Sequence, residues 1–224
     1  MNWLAKNLEL VGELTLSHLL QSLLPVLVGF LLALPLARLA LGRQADGSST
    51  LPSSLLAQLR RGSIINGAAL LYTIPSLALF VVMPLILGTS ITSALNVYVA
   101  LSIYVLAMMV RSAVDAFDSV PVLTLQAAAA MGYTPLRRFW AVELPLALPV
   151  MIAGLRVALV ANISMVSVGA VIGIQSLGTL FTDGLRRNIP AEIMTGILLT
   201  LFLALTLDRL LALLGAALTP WRKA

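Results

Sequence analysis

The chain has 224 residues, 60% hydrophobic and only 10% charged, with a net charge of +5 from 14 Lys+Arg against 9 Asp+Glu. A soluble domain carries roughly 45–50% apolar and about 25% charged residues. One water-solvated core cannot hold this much apolar surface, which excludes a disordered tail, a nucleic-acid-binding domain or a disulfide scaffold as the main reading. The chain has no cysteine, so it forms no disulfide and offers no thiolate metal ligand or thiol nucleophile. The composition is that of a polytopic membrane protein.

The first 17 residues carry Glu9 and Glu13 and lack the compact apolar core of a cleavable signal peptide. With Trp3 and Leu4 at headgroup depth, they read as a short interfacial helix. A bilayer core of about 30 Å takes about 20 apolar residues per helix. Five runs qualify: residues 18–41, 64–87, 91–110, 148–172 and 190–218. The expected fold is therefore all-α, a polytopic membrane bundle of about five transmembrane helices in a single domain over residues 1–224. Pro25 and Pro35 in the first run, and Pro75 and Pro84 in the second, remove backbone donors and favour kinks. Between these runs GRQADGSSTLPSS reads as a loop, with a second interfacial helix over 53–61. Asp208 and Arg209 are adjacent on the fifth run, do not face each other, and mark its cytoplasmic boundary.

Five spans put the termini on opposite sides. With the N-terminus outside, the inner face receives Arg38, Arg43, Arg60, Arg61, Arg111, Arg137, Arg138, Arg156, Arg209, Arg222 and Lys223. The outer face receives only Lys6, Arg186 and Arg187. The positive-inside bias selects this orientation.

The third and fourth spans are joined by a long cytoplasmic segment, residues 112–147 in the widest reading. Structureless loops beyond about 12–15 residues are uncommon, so it should hold helices. Pro121 can open one. The stretch from Leu123 to Met131, with Ala127, Ala128, Ala129 and Ala130, is a strong helix former. Gly132 can end it in the left-handed conformation. Thr134 then offers an N-cap and Pro135 the first position of a second helix running to Pro145. Two short helices meeting at a glycine corner are predicted, one with an unusually bare alanine surface.

This alanine-rich helix, its glycine and the following ELPLALP resemble the EAA loop of bacterial ABC importer permeases. The match rests on Gln126, Ala127, Ala128 and Ala129, then Gly132, then Leu144 and Pro145, with Gln126 standing where the family usually has Glu. Three further segments, LYTIPSLALF, VELPLALPVMIAGLRVA and IGIQSLGTLFTDGL, are similar to the glycine betaine/carnitine/choline (osmoprotectant) group. Gln175 and Ser176 stand in a stretch that is usually richer in glycine. The resemblance implies a permease whose loop docks on a cytoplasmic ATPase. Its partners would be ABC ATPase subunits, an extracytoplasmic substrate-binding protein and a second permease copy or related permease in the bacterial inner membrane, with no nucleic acid. It implies import of a small osmoprotectant. Another small solute such as an amino acid, an ion-coupled secondary transporter and a cargo-free scaffold are the alternatives.

The residues agree with a non-enzymatic subunit. No G-x-x-x-x-G-K-[ST] phosphate loop occurs in the sequence, so the chain binds no cofactor by that route and ATP would be used by the partner. No catalytic or metal-ligating cluster has convincing spacing. Tyr72, Thr73 and Ser76 on the second run, and Asn162, Ser164 and Ser167 on the fourth, are the candidate path residues. For Asn66, Asn162, Ser164 and Ser167 inter-helix hydrogen bonding is the plainer reading. His18 reads as a packed or interfacial residue. Arg156 reads as snorkelling to headgroups, or as anchoring the loop to the fourth span. Arg137 and Arg138 would touch ATPase acids or anionic lipid, or form a solvated face. Gly169 and Gly173 have the spacing of a helix-packing pair. The scattered methionines read as packing.

Overall fold

The computed structural model describes residues 2–41 and 55–223, and each described element is helical. Helix α1 (Asn2–Lys6) stops where the Asn7 amide turns back to donate to the Trp3 carbonyl at 2.7 Å. Helix α2 (Leu8–Leu41) then runs unbroken for 34 residues, ~50 Å at 1.5 Å per residue. The expected interfacial helix over residues 1–17 is thus confined to α1, and the rest is the start of α2. Packing explains the difference, because Val11 and Leu14 are buried against Leu177, Leu180, Leu199 and Leu203 rather than lying on headgroups. Pro25 and Pro35 sit inside α2 without ending it.

The expected second span is two helices, α3 (Leu55–Thr73) and α4 (Ser76–Leu87), bent by 98°. Pro75 carries no N–H, and its ring pushes Ile74 out of the helical region, so this proline breaks the helix. The Ile74 carbonyl accepts the Tyr104 hydroxyl from the next helix, which gives the buried Tyr104 a partner. Pro84, by contrast, stays inside α4. The interfacial helix expected over 53–61 is from Leu55 onward simply the start of α3. The loop containing Arg43 lies outside the described residues.

Helix α5 (Ala94–Asp118) is the hub. Val97, Leu101, Val105, Met109, Ala113 and Phe117 along it are all buried, facing α2, α3, α4 and α8 in turn. It extends eight residues past the expected end of the third span (118 against 110), so the segment outside the spans is shorter than the sequence implied. Beyond it lie α6 (Val122–Ala130) and α7 (Pro135–Arg138). A π turn over Phe139–Glu143 then leads without a break into α8 (Leu144–Gly169). Pro145 therefore does not end the second short helix. It falls in the first turn of α8, where a missing N–H costs little, and the Leu144 N–H reaches back to the Phe139 carbonyl to make the π turn.

A short 3-10 turn (Ala170–Ile172) and Gly173 follow, then α9 (Gly178–Arg186) and α10 (Pro190–Leu218). Gly173 lies at φ 86°, past the end of the helix, so Gly169 and Gly173 do not form a packing pair on one helix. Ser176 caps α9, its Oγ accepting the Gly178 N–H at 3.1 Å while its own N–H donates to Thr179 Oγ1.

Arg38–Glu143 joins the end of α2 to the approach of α8, and Arg61–Asp118 joins the start of α3 to the end of α5. At the opposite end, Thr89 Oγ1 just past α4 donates to Asn96 Oδ1 at the start of α5, 2.5 Å away. The bent pair therefore crosses once. With α2, α5, the run over Pro135–Ile172 and α10, each long and apolar enough to span a membrane, the bundle makes five crossings.

Candidate functional site

The segment between α5 and α8 forms the predicted corner. Gly132 takes φ 81°, and its N–H and that of Tyr133 close back on the carbonyls of Ala129 and Ala128, a glycine-terminated helix end. Thr134 accepts the Arg137 N–H as the N-cap of α7, with Pro135 in its first turn. On α6, Leu125 and Ala128 point into the bundle. Leu123, Gln126, Ala127, Ala130 and Met131 lie on the opposite side, exposed, with Leu123 at 78% and Met131 at 71%. Ala129 sits at the edge of that face. The bare alanine surface is thus real, and it is flanked by two large apolar side chains.

Beneath the corner lies a charged and aromatic base. Arg38 NH1 donates to Glu143 Oε2 at 2.5 Å, and its guanidinium stacks 4.5 Å over Phe139, which in turn packs on Phe117 of α5. The corner is therefore fixed to α2, α5 and α8 together. Arg137 is exposed and stacks over Tyr133 at 4.8 Å. Arg138 corrects the sequence reading. It is only 1% exposed and points into the bundle, so it offers no charge to a docking partner or to lipid headgroups. Leu144 packs half-buried against the core cluster around Phe117, and Pro145 beside it is also half-buried.

Glu143 was missed as a site residue. A lone acid between apolar WAV and LPLALP, matched by a lone Arg38 at the end of another apolar run, was the available signal. Removing one partner of a buried pair costs about 3–5 kcal/mol. Glu143 is fully buried, whereas the Arg38 side chain is 29% exposed. Arg38→Met and Glu143→Gln are each expected to lower the melting midpoint in detergent. An unchanged midpoint in both would show that the pair is not what holds the base.

The candidate path residues separate into two groups. Tyr72 and Thr73 are exposed at the α3–α4 break with Ser76 half-buried beside them, and Tyr72 meets Tyr104 edge-on at 5.9 Å. Ser164 is exposed on α8 and Ser167 is half-buried. Asn162 is buried and turned toward α2, where its Nδ2 donates to the Ser22 carbonyl at 2.7 Å. It belongs to a polar seam in which His18 Nε2 donates to the Ile163 carbonyl and Gln21 to the Gln175 carbonyl. His18 is therefore a packed residue, and the seam ties α2 to α8 and the following hairpin. Asn66 is exposed and makes no hydrogen bond among the described residues, so within one chain it is not the inter-helix link expected of it.

Arg156 neither snorkels nor anchors the loop. Its Nε and NH2 donate to the two oxygens of Asp208 on α10, at 2.8 and 2.6 Å. Asp208 lies inside α10, which continues to Leu218, with its carboxylate turned to Arg156.

Residues 50–223 match the family described as binding-protein-dependent transport system inner membrane component. The osmoprotectant import permease protein OsmW of Salmonella typhimurium is 39% identical over 160 residues, 70% of this chain and 74% of that protein. The glycine betaine/carnitine/choline transport system permease protein OpuCD of Bacillus subtilis is 34% identical over 172 residues, 75% and 74% of the two chains. Among solved structures, the MetNI methionine ABC transporter in an inward-facing conformation superposes with a TM-score of 0.80 at 21% identity, over 95% of this chain and 97% of that one. An amino acid ABC transporter superposes with a TM-score of 0.69 at 15% identity, over 97% and 96%. The bent five-span bundle is thus the fold of those transporters, and this chain belongs to the binding-protein-dependent transport inner-membrane components, the ABC importer permeases that work with ATPase subunits and substrate-binding proteins.

Proposed function

We propose that this chain is the membrane-spanning subunit of an ATP-driven importer for a small osmoprotectant such as glycine betaine, carnitine or choline. The relatives named for these solutes, at 34–39% identity, support the cargo class. The observation that carries the mechanism is the exposed Leu123–Gln126–Ala127–Met131 face, set on a corner whose base is bonded to α2, α5 and α8. Alanine lets a partner surface approach closely, and the flanking Leu123 and Met131 give it apolar area to bury. ATP hydrolysis resides in the partner that docks there. Its closure on ATP moves α6 and, through Phe139 and the Arg38–Glu143 pair, tilts the spans to open the path outward. Hydrolysis returns the inward-facing state. Gln126, Ala127, Ala129, Gly132 and Arg137 form the contact, with Ala128, Arg138, Leu144 and Pro145 supporting it from below.

The N-terminus lies outside and the C-terminus in the cytoplasm. This is supported by the gathering of Arg38, Arg61, Arg111 and the α6 corner at one end of the bundle, with Lys6, Arg186 and Arg187 on elements at the other. Two permease copies, or two related permeases, line one path at their junction, to which Tyr72, Thr73, Ser76, Ser164 and Ser167 contribute. Asn66, an exposed amide on a spanning helix, is a polar group that hydrocarbon does not satisfy and a second copy can.

The test is Gly132→Asp. A β-carbon at φ 81° is strained, less for Asp than for most residues, and costs about 1 kcal/mol, roughly a fivefold fall in the population of the docked corner. Nothing lies within 4 Å of that β-carbon, so the bundle should survive. At equal membrane abundance, uptake and recovery of the ATPase subunit in a mild-detergent pull-down should both fall by about that factor. Wild-type uptake in this variant would remove the corner from the mechanism.

A further inference from the structure

The Arg156–Asp208 pair sits in the middle of α8 and well inside α10. Its side chains are 38% and 22% exposed on an otherwise apolar surface. Charges at this depth are costly against hydrocarbon and face a water-filled cavity or another protein surface. Two open cavities meet at the pair. One, about 310 Å³, lies toward the α6 end, lined by Pro149, Ile152, Gly215 and Thr219 together with Arg156. The other, about 600 Å³, lies toward the opposite end, lined by Val157, Val160, Ala161 and Ser164 together with Arg156 and Asp208. Both fall in the ~300–1,000 Å³ range of small-molecule sites. Arg156 and Ala153 line both, and Asp208 lines the second.

The geometry of the pair leaves a place for a ligand. Asp208 occupies only the Nε–NH2 edge of the guanidinium. The NH1–NH2 edge bonds nothing among the described residues, and it is the second bidentate donor edge that arginine presents. The pair itself is neutral, so a free anion would bring in a charge that only the neighbouring, exposed Arg209 could offset. A zwitterion would not. Its carboxylate fits the open edge of Arg156 and its cationic end the Asp208 carboxylate, with Val157 and Val160 against its methyl groups. A quaternary ammonium has no N–H with which to compete for Asp208, so the ion pair stays intact during occupancy.

We propose that Arg156 and Asp208 form a transient station for a zwitterionic solute on the path, in which the open guanidinium edge reads the carboxylate. The station rests on the importer reading above and adds selection by the permease to selection by the binding protein. The test is uptake into proteoliposomes holding the whole complex, with binding protein saturated by glycine betaine or by choline, which lacks the carboxylate. Arg156→Lys keeps the charge and its attraction to Asp208 but loses the planar edge. Glycine betaine uptake is expected to fall about tenfold relative to choline uptake. Equal loss of both, or no loss, would reduce the pair to a structural tie. The double variant Arg156→Leu/Asp208→Leu gives a second measurement. A structural tie is replaceable by packed apolar side chains, so full glycine betaine uptake in this variant overturns the station and continued loss at equal complex assembly supports it. If the wild-type complex carries neither solute, the osmoprotectant reading itself fails, and the station falls with it.

Discussion

Ala127→Arg is expected to cut cargo uptake by about a hundredfold while leaving the bundle folded. Ala127 is exposed on α6 and touches no core cluster, and substitutions at such positions usually change stability by no more than about 0.5 kcal/mol. In the proposed contact its role is to permit the close approach of another chain. A long charged side chain there would hold the partner surface off and strand a charge in the contact. Truncation of the few hot-spot residues at the centre of an interface costs about 2 kcal/mol or more, and a charged insertion there should cost ~2.7 kcal/mol, the equivalent of a factor of about a hundred. Three readouts on one preparation check it: membrane abundance, recovery of the ATPase subunit, and uptake. Normal abundance with loss of the other two is the expected pattern. Normal uptake would mean that the α6 face is not where force enters. Ala128, one residue on, is not an equivalent test, because it is 1% exposed and an arginine there would damage the base as well as the contact.

The membrane spans and the glycine corner were legible because each rests on local chemistry. Twenty apolar residues, a left-handed glycine and a Thr-Pro cap act within a few residues of themselves, and the fifth run matched α10 at both ends. What the sequence hid depends on partners distant along the chain. Pro75 breaks its helix by 98° while Pro84 and Pro35 do not. At Pro75 the bend is tied to another helix, where the Tyr104 hydroxyl donates to the Ile74 carbonyl. Arg138 and Arg137 are neighbours with the same local surroundings in sequence, yet one is buried and one exposed, because the helix turns between them and only tertiary packing says which way is in. Glu143 with Arg38, and Arg156 with Asp208, are separated by 105 and 52 positions. Each read singly looks like a stray charge near a membrane boundary. Only the pairing shows that one supports the corner and the other borders two cavities.

Gly29→Ala is expected to force α2 away from α5, and its companion at Gly154 separates the cause from simple crowding. Helices in a membrane gain little from the hydrophobic effect and hold together by close packing at small residues, so the two crossings on α5 depend on glycine. A β-carbon at Gly29 would lie 2.7 Å from Val105 Cβ and Cγ1 and 2.8 Å from the Leu106 backbone nitrogen. Val105→Ala would remove only Cγ1, so the remaining conflict is with atoms that cannot move unless α2 and α5 separate. A β-carbon at Gly154 would lie 1.7 Å from Ser112 Oγ and 2.7 Å from Ser112 Cβ, and both atoms disappear in Ser112→Gly. Overpacking of this kind costs typically 1–3 kcal/mol and occasionally more. Gly29→Ala should sit at the upper end and show reduced membrane abundance and a lowered melting midpoint that Val105→Ala does not restore. Gly154→Ala should be restored by Ser112→Gly, because the helix propensity lost by placing a glycine at 112 is offset by that gained with an alanine at 154. Rescue at both sites would show that α2 can shift on α5 to make room. In that case the α2–α5 contact would be a sliding surface, and motion delivered at the corner through Arg38 would be spent along α2 before it reached the path.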